Sequence, residues 1–228
     1  MLEENYKKVE NSSDFLLLMY LEYKLSKKEK DKIYVHVRLK EIMPDSQNSQ
    51  KVKEIKTHPD LDLLYIDSKR QNSFDSSRKG FIEAFEIKTL REYSFREFYA
   101  GLGQAMMYYR FGIDKVTLIV GYFGNNENRI EEIYFKLRKD CSYLQKHFWQ
   151  NKFLYVNFFI KSKGEFRQIF PLLKQPPEFP KLDEEALKFR EQILNMKIIK
   201  SKEWIKNYYK KRAKKLGIEK YKSYILED

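Results

Sequence analysis

The chain has 228 residues, 42% of them hydrophobic, and a formal net charge of +12. This size suffices for one compact domain with a sizeable core, and the charge favours a polyanionic partner, nucleic acid before an anionic membrane surface. The single cysteine, Cys141, excludes an intramolecular disulfide and multi-cysteine metal sites, and the longest apolar run, Phe15 to Leu21, is too short to span a bilayer.

The N-terminal third predicts one helix and three strands. Ser12, Ser13 and Asp14 can cap an apolar helix that ends near Leu25. Alternating apolar residues predict a strand from Ile33 to Met43. A short strand from Leu61 to Ile66 and another from Phe81 to Lys88 flank a polar loop, so we expect them to pair as an antiparallel hairpin.

A second helix and a fourth strand follow. Ser94 and Glu97 have the spacing of a capping box, which would open a helix that runs to about Phe111 and ends at Gly112. The apolar run from Lys115 to Tyr122 is typical of a strand buried on both faces. The order αβββαβ predicts an α/β fold, with a mixed central sheet flanked by helices in a three-layer sandwich.

The C-terminal half continues with a helix over about Asn128 to Trp149, a strand near Phe153 to Lys161 and a hairpin strand at Glu165 to Phe170. After a proline-rich break, Asp183 can cap a long helical region that reaches about Leu216. We therefore assign residues 1–170 to one domain. Residues 171–228 form a helical extension packed on the same domain.

The extension is strongly basic. Lys197 to Lys222 contains eleven Lys or Arg against two Glu, with aromatic residues interleaved. Lys210, Lys211 and Arg212 are candidates for gripping a phosphate backbone. The alternative is an amphipathic helix docked on the domain, whose lysines are merely solvated.

Four charged residues could form a hydrolytic site. Asp60 and Asp62 lie at the start of one predicted strand, and Glu86 and Lys88 at the end of the next. In a hairpin these ends lie side by side, and residues two apart share a face. Three carboxylates and an ammonium group would then meet at one point. Such a set can hold the metal ions that hydrolyse phosphodiesters.

The alternative is a solvated strand edge with scattered ion pairs, because Glu-x-Lys occurs three times in the chain. The copies are Glu22–Lys24, Glu54–Lys56 and Glu86–Lys88. Only the third lies within an apolar strand, where burying charge without a purpose is costly. Only the third follows a Pro-Asp-x-Asp segment.

Pro59-Asp60 followed by Glu86-Ile87-Lys88, in the order αβββαβ, resembles the PD-(D/E)xK (restriction-endonuclease-like) nuclease superfamily over roughly residues 10–125. The resemblance implies that an aspartate and Glu86 bind Mg²⁺, for which Mn²⁺ can substitute, and that Lys88 contacts the attacking water. Asp60 follows the proline of the motif, whereas Asp62 heads the strand as the metal-binding aspartate usually does. We favour Asp62 and expect both near the metal.

Gln104 and Tyr108 in the second helix are similar to the Gln-x-x-x-Tyr motif of RecB-like nucleases in this superfamily. The resemblance implies that they line the active site and the DNA path, although Tyr108 could simply pack in the core. His58 could contact phosphate or cap its strand. The iron–sulfur cysteines of some RecB-like enzymes are absent. An extra ligand from the N-terminal region has three candidates: Glu10, Glu22 and His36.

These features together predict a Mg²⁺-dependent deoxyribonuclease whose partner is DNA, with no membrane span and a cytoplasmic location, in the host if the source is viral. Many proteins of this fold cut as homodimers, which the sequence itself does not show. The alternatives are a non-catalytic DNA-binding protein of the same fold and a peripheral membrane-binding protein. Endonuclease or exonuclease action, strand preference and pathway (repair, recombination, restriction or viral genome processing) stay open.

Overall fold

The structure, a computed structural model, describes residues 16, 17, 20, 33–38, 60–71, 78–90, 94–124, 126–148, 154–160, 165–170, 182–195, 207, 210 and 211. The strands are β1 (Ile33–Arg38), β2 (Asp60–Gln71), β3 (Lys79–Leu90), β4 (Lys115–Tyr122), β5 (Leu154–Ile160) and β6 (Glu165–Phe170). The helices are α1 (Arg96–Met107), which a 3₁₀ turn (Tyr108–Phe111) follows, α2 (Glu127–Phe148) and α3 (Glu184–Leu194).

The six described strands form one mixed sheet in the order β1-β2-β3-β4-β5-β6. The first three strands are antiparallel, β3, β4 and β5 are parallel, and β6 is antiparallel to β5. The connections between parallel strands carry α1 and α2, because a parallel pair needs a crossover. The predicted α/β class, the mixed sheet and the β2–β3 hairpin are therefore confirmed.

One face of the sheet carries the main hydrophobic core. Side chains alternate along each strand, so every second residue of β3, β4 and β5 points to this face. Residues of α1, α2 and α3 contribute to this core. Its buried members include Ala84, Leu118, Phe158, Phe98, Ile133 and Ile193. Glu86 and Lys88 have the same parity along β3 as Ala84 and therefore emerge on this helical face.

Helical residues from the N-terminal region cover part of the other face. The ring of Tyr20 packs on Phe85 and Phe166, with centroids 5.4 and 5.3 Å apart. Leu16 lies so close to Gly121 that a Cβ there would be 2.6 Å from the leucine Cδ2. The ends of the first predicted helix lie outside the described residues. Within the described part of the chain, no helix is both long and apolar enough to cross a membrane.

The predicted strand Leu61–Ile66 is too short. β2 runs on to Gln71, which pairs with Lys79 beyond an irregularity that follows Asp67. Ser68 and Lys69 in this part are exposed. An exposed hairpin end satisfies its backbone hydrogen bonds by pairing but has no apolar alternation that a sequence pattern can detect.

The predicted capping box at Ser94 is wrong. The helix begins at Arg96 after Phe95, which makes no side-chain capping bond, and the Ser94 hydroxyl instead accepts from the Arg96 N–H at 3.2 Å. Ser94 thus lies one position too early to reach the amide of Glu97. Gly112 does end the following 3₁₀ turn, with a left-handed φ of 70°.

The start of α3 is as predicted, and a break that the sequence does not predict follows Leu194. The Asp183 side chain accepts from the Ala186 N–H at 2.7 Å and caps the helix. This helix ends at Leu194 with Asn195 as C-cap, so the predicted helical region is interrupted there. Of the rest of that region, residues 207, 210 and 211 are helical, and the others up to Leu216 lie outside the described residues. Asparagine favours helix ends because its side chain competes for nearby backbone groups. The remaining helices and strands, apart from β1, agree with their predicted bounds to within about two residues; the β1 continuation beyond residue 38 lies outside the described residues.

A buried ion pair fastens α3 to the sheet. Arg190 lies 2.6 Å from Asp114 and also donates to the carbonyl oxygens of Gly112, Lys79 and Gly80 at 2.9, 3.1 and 2.7 Å. These partners lie where β3 and β4 begin. Glu86 and Lys88 lie towards the other end of β3, so α3 is anchored away from them.

Candidate active site

Asp62 and Glu86 face each other across the β2–β3 ladder. Leu63 pairs with Phe85 in this ladder, so the next pair in the same register is Asp62 with Glu86. Opposed residues of an antiparallel pair point to one face, with Cβ atoms about 4.5–5.5 Å apart. The two carboxylates therefore share the helical face of the sheet.

Asp62 is held in place by the neighbouring strand. Its Oδ2 atom accepts a hydrogen bond of 2.8 Å from the backbone N–H of Ile87. The side chain is half-buried, whereas Glu86 beside it is buried. A charge-assisted bond to a strand backbone restricts the aspartate rotamer, which keeps its carboxylate next to that of Glu86.

Glu86 has two polar partners in an otherwise buried position. Its side chain is only 3% exposed, and the Lys88 Nζ atom lies 2.6 Å from its Oε1 atom. The Tyr108 hydroxyl donates a hydrogen bond to its Oε2 atom. Lys88 is 19% exposed, so its ammonium group stands between the buried carboxylate and solvent. A buried charge is tolerable when it is paired and hydrogen-bonded in this way.

The surroundings of Glu86 disfavour its charged form. Burial, and then the nearby charge of Asp62, raise the pKa of Glu86 to about 7, while Lys88 and Tyr108 act in the opposite direction. Two carboxylates in one poorly solvated place therefore carry more negative charge than one lysine compensates. Such a shift is common where carboxylates await a cation or move a proton.

Tyr108 links the turn after α1 to both strands of the hairpin. In addition to its bond to Glu86, its hydroxyl lies 3.2 Å from the backbone carbonyl oxygen of Asp60, a second acceptor. Burial, and then the charge of Glu86, raise the pKa of the Tyr108 phenol. The hydroxyl therefore stays protonated at neutral pH and acts as a donor to the carboxylate.

Gly101 allows α1 to approach Lys88 closely, a requirement that the sequence analysis missed. A Cβ at this position would lie 2.6 Å from the Lys88 Cγ atom and 2.8 Å from a Leu118 methyl group. Gly103 in the same helix has nothing within 4 Å of such a Cβ. A glycine inside a helix costs stability, which is a signal in the sequence, but only the packing shows which of the two is needed.

The other predicted site residues have different positions. Asp60 is exposed at the start of β2, and Gln104 is exposed on α1, whereas Tyr108 one turn later is buried. Lys210 and Lys211 are helical and exposed. Four candidates lie wholly outside the described residues: His58, Arg212, Glu10 and Glu22. His36 lies in β1, but its side chain is outside the described part.

The donor atoms suit a hard divalent cation. Among the described residues, no group of three or more His, Cys, Asp and Glu side chains is arranged to hold a metal ion. Asp62 and Glu86 form a neighbouring carboxylate pair, and the third expected carboxylate, Asp60, is exposed at the start of the same strand. A pair still suits Mg²⁺, which proteins commonly bind through one or two carboxylates plus water and substrate phosphates. The pKa of Glu86 is raised partly by the negative charge of Asp62, and a bound cation would neutralise the negative charge of this pair.

Comparisons with protein-family models, with curated proteins and with solved structures each find no match to this chain. Support for a function therefore comes from the residues and their geometry.

Proposed function

We propose that this chain is a metal-dependent deoxyribonuclease of the restriction-endonuclease-like, PD-(D/E)xK kind. The observation that carries the proposal is the β2–β3 register, which sets Asp62 opposite Glu86, with Lys88 2.6 Å from the glutamate. An aspartate and a glutamate on one face of a hairpin can hold a metal ion that assists phosphodiester hydrolysis, and the lysine beside them can orient the attacking water. A purely structural ion pair would not need a second carboxylate beside it.

Each residue has a distinct role in the proposal. Asp62 and Glu86 would hold Mg²⁺ or Mn²⁺ through carboxylate oxygens, and the ion would supply the charge that activates water and stabilises the leaving oxygen. Lys88 positions the attacking water with its ammonium group. Tyr108 holds the second oxygen of Glu86 and keeps the carboxylate in a fixed rotamer. Gly101 gives the stem of Lys88 its place under α1.

The architecture supports the same proposal. Three helices on one face of a mixed sheet, and helical residues such as Tyr20 on the other, are compatible with the three-layer sandwich of these nucleases. Residues 1–170 would form the catalytic domain, and 171–228 the extension that docks through α3. Exposed Lys210 and Lys211 would add contacts to the DNA backbone.

Incubation with linear, circular, single-stranded and branched DNA, with and without Mg²⁺, tests the proposal. We expect cleavage only with the metal. Glu86→Ala should abolish it, because the ion loses a ligand, and Lys88→Ala should slow it by about 10²–10⁴-fold, which is typical of a lost acid–base or water-positioning group.

Glu83→Gln is the matched control. Glu83 is equally buried in β3, but it points to the opposite face, where it pairs with Lys115 at 2.7 Å. Removing its charge should leave the rate within a few-fold of the wild type. Equal rates for the wild type, Glu86→Ala and Lys88→Ala would overturn the site assignment, and DNA binding without cleavage would indicate a non-catalytic protein.

A further inference from the structure

The outer side of α2 carries exposed aromatic rings among basic residues. Phe135 is 61% exposed and Tyr143 is 58% exposed. They lie eight residues apart, with Lys139 midway, so all three follow one side of the helix over about 12 Å. A single exposed ring is ordinary, but a group of apolar rings rimmed by polar residues is typical of an interaction surface.

The charge of this part of α2 is strongly positive. Residues 135–146 contain Lys136, Arg138, Lys139 and Lys146 against a single acid, Asp140. The preceding turn carries Glu131 and Glu132, which pair with Arg167 and Arg129. Asp140 is already occupied: it accepts from the Tyr99 hydroxyl at 2.7 Å and lies 3.3 Å from Lys136. The net positive charge of this surface therefore complements a polyanion.

This surface continues onto α1, next to the proposed active site. Tyr99, itself 47% exposed, joins the two helices through Asp140, and Lys136 lies over the Phe95 ring at 5.0 Å. Gly101 touches Lys88, and Tyr99 lies two residues before Gly101. Tyr99 and Gly101 therefore lie on roughly opposite sides of α1. A chain that leaves Lys88 would cross about one helix diameter, on the order of 10 Å, to reach this surface.

We propose that this aromatic-basic surface (Tyr99, Phe135, Lys136, Lys139, Tyr143 and Lys146) binds unpaired DNA as it leaves the active site. Exposed rings can stack on unpaired bases, whereas a duplex already stacks its bases internally and offers only its phosphates. The basic residues contact the backbone of either form. The inference deepens the proposed nuclease function and rests on it for the choice of DNA as the nucleic acid.

Fluorescence anisotropy with a labelled single strand and the matching duplex, in EDTA, tests this surface without cleavage. Phe135→Ala combined with Tyr143→Ala should weaken single-strand binding on the order of tenfold or more. Duplex binding should change less than twofold. Phe135→Trp combined with Tyr143→Phe, which keeps both rings, should retain wild-type affinity for the single strand.

Leu187→Ala is the control for the loss of an exposed apolar side chain, because Leu187 is 46% exposed on α3. It should bind both probes as the wild type does. Unchanged single-strand binding by the Phe135/Tyr143 alanine variant, or an equal loss for both probes, would overturn the proposal.

The two proposals fail separately. Ring-dependent single-strand binding by a protein that cuts no DNA would remove the nuclease function and keep this surface as a DNA-binding site. Magnesium-dependent cleavage combined with ring-independent binding would keep the nuclease and remove the surface.

Discussion

Glu86 is the residue at which the fold and the proposed chemistry conflict most directly. Its burial, and the charge of Asp62, raise its pKa from 4.5 to about 7. The unfolded chain loses this proton near the lower value, whereas the folded protein keeps it up to the higher one. The folded state therefore binds more protons between these values, and the contribution of Glu86 to stability is present at low pH and is lost as pH rises through this interval.

The metal-free protein should consequently be less stable at pH 8 than at pH 5 because of this one group. Urea unfolding in EDTA should show that the free energy of unfolding falls by on the order of 3 kcal/mol more in the wild type than in Glu86→Gln between pH 5 and pH 8. The glutamine variant carries no titrating group at this position. Added Mg²⁺ at pH 8 should restore stability to the wild type only. An identical pH dependence in both proteins would show that Glu86 titrates normally.

The two glycines of α1 make a matched pair at the residue scale. Gly101→Ala forces a methyl group against Lys88 and should lower the cleavage rate at least tenfold, because the lysine must move. Gly103→Ala, with open space around it, should leave the rate unchanged and raise stability by about 0.5–1 kcal/mol. Rate assays and thermal unfolding of the two variants check this, and equal effects on rate would contradict the packing role of Gly101.

The predictability of single residues follows from what a linear pattern contains. Asp62, Glu86 and Lys88 could be singled out because alternation along two adjacent strands implies a shared face. Gly101 could not be singled out in this way. Its role depends on how closely α1 approaches β3, and the sequence does not fix that distance. The choice between Asp60 and Asp62 as the partner of Glu86 also needed the strand register. Both aspartates have the same parity on β2, so alternation alone does not separate them.

At the scale of elements, α3 is the piece whose attachment is most specific. Arg190 is buried with Asp114, and its other donors meet three backbone carbonyl groups. The Asp114 carboxylate also accepts from the Ile82 N–H at 2.8 Å. Every charge in this contact is therefore satisfied, and removing Arg190 leaves the buried Asp114 carboxylate with only the Ile82 N–H and the more distant Arg78, at 3.9 Å.

Arg190→Ala should accordingly destabilise the protein by about 3–5 kcal/mol, measured by chemical denaturation. Arg129→Ala is the comparison, since its pair with Glu132 lies 2.7 Å apart on the surface of α2 at i,i+3 spacing. That loss should stay below about 0.5 kcal/mol. A cost for Arg190→Ala as small as that of Arg129→Ala would mean that the ion pair does not hold α3 in place.

Elements were predictable where their burial pattern was strong. The apolar run from Lys115 to Tyr122 predicted the bounds of β4 that the structure has. Gly112 marked the end of the turn before it. The polar extension of β2 was not predictable, because it is held by hairpin pairing and has no apolar alternation. The true start of α1 was not predictable either, because no apolar pattern shows that Ser94 lies one residue before the N-cap. The break after Leu194 was not predictable, since the basic continuation keeps a helical pattern past Asn195.

On the scale of the whole molecule, the basic residues and the carboxylate pair lie on different parts of the chain. The carboxylate pair sits on the β2–β3 hairpin, while much of the +12 net charge falls in the C-terminal segment, and a smaller basic cluster lies on α2. The sequence predicted the α/β class and the mixed sheet because element order limits topology. It could not predict which surfaces face the substrate, because that depends on how helices far apart in the chain are placed side by side.

The central claim is that Asp62 and Glu86 ligate the same cation, and Mn²⁺ binding without DNA tests it most directly. Calorimetric titration should show a Mn²⁺ site in the wild type and in Glu83→Gln. Asp62→Asn and Glu86→Gln should each weaken that site by about tenfold or more, because each removes one charged ligand. Wild-type Mn²⁺ affinity in both Asp62→Asn and Glu86→Gln would contradict the shared site.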